Sequence, residues 1–137
     1  MRTSRSLWAI IAIAAVTALA SCSSIGVADS REEGIPAGAA LPSDDEGPYV
    51  LATANGDVQV VTLGSTSCPP TATDFANDGT EMRIGFELAV GGTCTADIGP
   101  TTHTFSASTV GSTIPDVAHI EFPEIDEEYV VEVTRLE

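Results

Sequence analysis

Apolar and polar residues alternate along much of the chain, most clearly over Thr80–Val90. There Met82, Ile84, Phe86, Leu88 and Val90 alternate with Glu81, Arg83, Gly85, Glu87 and Ala89. A period of two predicts a strand with one face in a core and one in water. A helix would place Gly85 in its apolar stripe. Tyr49–Ala54 and Asp57–Leu63 flank Asn55-Gly56. That predicts a two-residue hairpin whose central residues both take positive φ. Asn77-Asp78-Gly79 marks a turn after a weaker strand at Thr71–Ala76. Thr101–Thr109 and Val117–Phe122 supply two more strands. In Tyr129–Leu136 both faces are partly apolar, as in a central strand. Seven short strands, turns every 8–12 residues and no helix pattern predict an all-β fold. The expected form is a small β-sandwich, Ig-like or related, with no internal repeat.

The amino terminus breaks this pattern. Leu7–Leu19 is a continuous apolar run behind Arg2 and Arg5. It is short for a membrane span, which needs about 20 apolar residues, and has the layout of an export signal. Leu19-Ala20-Ser21-Cys22 follows it directly. This resembles the lipobox of bacterial lipoproteins. The resemblance implies cleavage after residue 21 and a diacylglyceryl group, with palmitate-type acyl chains, on the Cys22 thiol. Small residues suit a narrow peptidase cleft, and only a thiol supplies the thioether. A plain signal peptide with a free Cys22, or an uncleaved anchor, is the alternative. Arg2 and Arg5 are not adjacent, so a twin-arginine route is not indicated.

Ser23–Gly47 is rich in small and polar residues, Gly and Pro, with no aromatic residue and no sustained period. It is expected to be a flexible tether. The expected organisation is therefore residues 1–21 as signal peptide, 22–47 as lipidated cysteine and linker, and 48–137 as the β domain. Asp44, Asp45 and Glu46 read as solvation of the tether.

Charge removes one class of partner. The chain carries 20 Asp+Glu against 5 cations, all arginine. Residues 1–21 hold two of those arginines and no acid, so the remainder has a net charge of −17. Three arginines cannot build a basic patch, so no nucleic acid partner is expected. The acidity is read as a solubility feature.

With Cys22 assigned to lipid, Cys68 and Cys94 remain, and in an exported chain they are expected to form a disulfide. They lack the CxxC spacing of a redox pair. Their flanks are Val61-Thr62-Leu63-Gly64-Ser65-Thr66-Ser67-Cys68-Pro69-Pro70 and Cys94-Thr95-Ala96-Asp97-Ile98-Gly99-Pro100. Together these resemble small lipoproteins of high-GC Gram-positive bacteria, a group without an established activity. Leu63 stands where that group commonly has Trp, and Thr66 interrupts its serine run. The resemblance covers roughly residues 60–100 and implies location and fold, not chemistry.

The candidate binding loop is Ser65, Thr66 and Ser67 with Asp97, brought together by the disulfide. Local turn chemistry is the plainer reading: hydroxyls bonding nearby backbone, and Asp97 capping backbone N–H groups. A hydrolase would need His103 or His119, and no Gly-x-Ser-x-Gly elbow accompanies them. His119 is expected to face water and His103 to be half-buried. Two separated histidines do not make a zinc site. For calcium the candidates are Asp74 and Asp78 at one turn and Glu124 and Asp126 at another. Neither stretch has EF-hand spacing.

The expectation is a monomeric, non-enzymatic lipoprotein on the extracytoplasmic face of the cell membrane. It binds an envelope protein or a small ligand and takes no cofactor beyond the Cys22 lipid. The alternatives are a calcium-dependent adhesin or sensor and a small hydrolase.

Overall fold

Met82, Ile84 and Phe86 are all fully buried, while Arg83 and Glu87 are exposed. Alternation therefore does form a half-wet strand. The computed structural model describes residues 25–42, 47–89 and 91–137. Residues 1–21, expected to be an export signal, together with Cys22, the acidic run at 44–46 and Val90 lie outside the described residues. The described residues form eight strands: β1 (Ser30–Glu33), β2 (Tyr49–Ala52), β3 (Val58–Gly64), β4 (Thr71–Asn77), β5 (Met82–Glu87), β6 (Gly99–Phe105), β7 (Val117–Phe122) and β8 (Glu127–Arg135). A one-turn helix, α1 (Ala107–Val110), follows β6, and a 3-10 turn at Pro123–Ile125 precedes β8.

All eight belong to one sheet, ordered β1-β6-β3-β2-β8-β7-β5-β4. The pairs β2–β8 and β5–β7 are parallel and the others antiparallel. β8 turns the corner. Its residues Glu127–Glu132 pair with β7, and Val133–Arg135 pair with β2. The sheet thereby folds over on itself, and its two halves face each other as in a sandwich. Phe75 of β4 stacks on Phe105 of β6 at 4.7 Å, and Phe86 of β5 meets His103 of β6 edge-on at 4.8 Å. Val50, Val58, Val60, Ile84 and Ile120 fill the space around these rings. β8 is central in the strand order, as expected, but only one of its two partly apolar faces is covered. Its outer face stays in water, and Val130 is 66% exposed.

The segment expected to be tether is partly sheet. Gly26 bridges Ala72 of β4, Val27 N–H donates to the Ala72 carbonyl at 2.8 Å, and β1 pairs with β6 over Ser30–Glu33. The folded unit thus begins by Gly26, not Pro48. Gly26 has φ +72°, and a Cβ there would sit 1.8 Å from the Ala72 oxygen, so only glycine permits this approach.

Four local expectations are corrected. In the β2–β3 hairpin only Gly56 takes positive φ, and its N–H donates to the Thr53 carbonyl at 3.0 Å. The connection is a type I turn closed by a left-handed glycine, not a two-residue primed turn. β5 ends at Glu87 because the Leu88 N–H is taken by the Glu124 carboxylate at 3.0 Å. β6 ends at Phe105, where α1 begins. Asp29 accepts the Ser106 N–H and Asp57 accepts the Ala107 N–H, each at 2.8 Å. These carboxylates satisfy donors at the start of the helix. His103 is fully buried, not half-buried.

Candidate functional site

Gly64, the last residue of β3, pairs with Gly99, the first of β6. Beyond this pair the two chains splay into the loops that carry the cysteines. Cys68 and Cys94 form a disulfide with Cα atoms 5.5 Å apart. The loops also touch where Gly99 passes Thr66, since a Cβ on Gly99 would lie 2.5 Å from the Thr66 methyl.

The disulfide gathers all four candidate residues. The Thr66 hydroxyl donates to one Asp97 carboxylate oxygen and the Thr95 hydroxyl to the other. The Ser67 hydroxyl accepts the Thr95 N–H at 2.8 Å and lies 3.0 Å from the Thr95 hydroxyl. Ser65 lies 3.2 Å from both Ser67 and Thr95. The Thr66 hydroxyl, and after it the Thr95 hydroxyl, holds the Asp97 carboxyl below the usual carboxylate range. Asp97 therefore serves chiefly side-chain hydroxyls of both loops; the expected backbone capping is a lesser part. Thr95 is the member that sequence reasoning missed. Its signal was its place beside Cys94, which the disulfide sets opposite Ser67. Ser67, Thr95 and Asp97 are exposed and Ser65 and Thr66 half-buried, and the hydroxyls bond mainly to one another and to Asp97. Next to it stands Ile98, 80% exposed.

No protein-family model, curated protein or solved structure matches the chain. What the site can do is therefore argued from its own chemistry.

The four calcium candidates do not converge. Asp78 accepts the Thr80 and Glu81 N–H groups at 2.8 Å each, which closes the β4–β5 turn and lowers its pKa. Glu124 caps Leu88. Asp74 sits at a bulge in β4 beside Gly85. Asp126, in the left-handed conformation, ends the 3-10 turn. Among the described residues no group of three or more His, Cys, Asp or Glu is placed to hold a metal ion.

Among the described residues neither histidine has both a hydroxyl and a carboxylate within bonding reach. His103 is enclosed by the core, with Nε2 3.1 Å from the Thr62 hydroxyl; its Nδ1 has no hydrogen-bond partner among the described residues. Burial, and secondarily the charge of Arg31, pushes its pKa down to about 4. His119 sits on the outer face of β7, 2.6 Å from Glu128. It joins Arg83, Glu81 and Glu121 in a surface charge network, with Arg83 to Glu121 at 2.8 Å.

A shallow recess at the cluster's end of the sheet was not foreseen. Pro48, Leu63, Leu88, Phe122, Ile125 and Tyr129 line it. At its rim the Tyr129 hydroxyl donates to Glu127 at 2.6 Å, a bond that raises the Tyr129 pKa.

Proposed function

We propose that this protein is a lipid-anchored, extracytoplasmic lipoprotein that binds through the disulfide-clamped loop pair and catalyses nothing. Cys22 carries the diacylglyceryl anchor, and the domain works at the outer face of the cell membrane. The observation that carries the binding assignment is Ile98, 80% exposed beside the Ser65–Ser67, Thr95 and Asp97 cluster. A large apolar side chain held in water beside a rigid polar cluster is the composition of a contact surface. The disulfide lowers the entropy lost when such loops order on a partner.

Anchorage is tested by fractionation. Cys22→Ala should move the protein from membranes to the soluble fraction, since a diacyl anchor gives stable attachment and the domain supplies no equal substitute. Unchanged membrane partition refutes the lipoprotein assignment. Protease added to intact cells should digest the anchored domain, and full protection refutes the extracytoplasmic location.

A further inference from the structure

The strand directions sort the connections into two ends. The β1–β2, β3–β4, β5–β6 and β7–β8 connections lie at one end, and the β2–β3, β4–β5 and β6–β7 connections lie at the other. The Gly26–Ala72 bridge sits at the beginning of β4, which is the first of these ends. The chain therefore enters the sheet beside Thr71 and Ala72, next to the loop that carries Cys68. By Asp29 it has reached the other end, where it bonds Thr104 and Ser106.

Exposed apolar side chains follow the same division. Ile35, Ile98 and Ile125 lie in three different connections of that end, and Val27 lies in the entering segment. Among the described residues no connection of the opposite end exposes a large hydrophobic side chain. The remaining one, Val130, is on the outer face of β8. Three isoleucines raised on separate loops around one end make a ring of apolar tips.

The length of chain ahead of the sheet says what meets this ring. Cys22 is three residues before Ile25. Three residues span at most about 11 Å even when fully extended. A tether of 25 residues would have let the domain tumble at roughly 25–30 Å from its anchor. The Gly26 bridge removes that freedom.

We infer that the end bearing Ile35, Ile98 and Ile125 rests on the lipid bilayer that holds the Cys22 anchor. This depends on the lipoprotein reading and names the bilayer as the partner of the same loop surface. The short covalent link keeps the isoleucine tips at the interface, where burying apolar area adds to the anchor. Charge does not draw the surface in. The described parts of the four connections hold Asp97, Glu124 and Asp126 and no arginine or lysine. Contact is therefore stronger on zwitterionic than on anionic lipid, and the difference shrinks with added salt.

The only tryptophan of the chain is Trp8, in the export signal, so a tryptophan placed in the domain is a unique probe. Ile98→Trp and Ser112→Trp report from opposite ends, both at exposed positions. Each lipidated protein is purified from membranes and reconstituted in phosphatidylcholine vesicles with brominated acyl chains. The probe at 98 should lose most of its emission and shift to the blue, and the probe at 112 should keep both. An insertion of about 20 Gly/Ser residues after Cys22, with a reach of roughly 25 Å, should restore emission at 98. Equal quenching at both positions overturns the inference, as does quenching that survives the insertion. Ile35→Trp repeats the measurement should the first variant misfold. Partition that depends on Cys22, with position 98 unquenched, refutes this inference alone. Partition independent of Cys22 refutes the anchorage and this inference with it.

Discussion

At His103 the surroundings oppose charge. The ring is fully buried against Phe86, Thr62 shares its Nε2, and Arg31 stands opposite it across the β1–β6 pair. Desolvation first, and then the arginine, lowers its pKa to about 4 from an ordinary value of 6.5. The unfolded chain thus binds a proton between these values while the folded one does not. This contribution is complete above pH 6.5 and is lost as pH falls toward 4, by about 3 kcal/mol in all. Chemical denaturation at a series of pH values should show it as a drop that His103→Leu lacks. An identical pH profile in the variant would rule it out. Sequence parity with Phe105 pointed this side chain inward. Its partner Thr62 was not legible, because a contact across 41 residues leaves no local trace.

Strands with a buried face were legible and the one without was not. β5 and β7 read directly from alternating apolar positions, because each lays one face on the core, and β8 read from its density of apolar residues. β1 reads Ser-Arg-Glu-Glu, with no apolar side chain. It is an edge strand held by backbone bonds to β6, and backbone pairing has no sequence signature. The candidate loops were legible through their cysteines. Their even number and the expected compartment gave the pairing, and the pairing gave the neighbourhood of Ser65–Ser67 and Asp97. The loop closed by Cys68 and Cys94 spans a separation of 26 residues and includes all of β4 and β5. Chain-entropy arithmetic gives this closure about 3.5 kcal/mol. Reduction should lower the melting temperature by about 10–20 °C in a domain of this size, measured by calorimetry with and without reductant. No shift would show that the crosslink does not constrain the unfolded chain.

For the whole molecule the decisive contact is the one that composition hid. Gly26 lies in a stretch of small and polar residues and reads as linker, yet it joins the outer strand of one half to the segment leading into the other. Gly26→Ala places a methyl group against the Ala72 carbonyl at a left-handed backbone angle. The variant should melt at a lower temperature, and the amides of Val27–Glu33 should exchange with solvent faster than those of β5. Unchanged exchange in that segment would show that the bridge does not hold it. Beside this bridge, Asn77 at the far end of β4 donates to the Val110 and Thr113 carbonyls at 2.8 Å. The outer side of β4 is thus occupied near both of its ends. The proposed anchor would confine the protein to two dimensions, with its copies crowded in one orientation. Under that confinement a bare strand edge would template a neighbour's strand and grow into a cross-β array. Four residues after Cys22, a single glycine interrupts the ladder on which such an array would start.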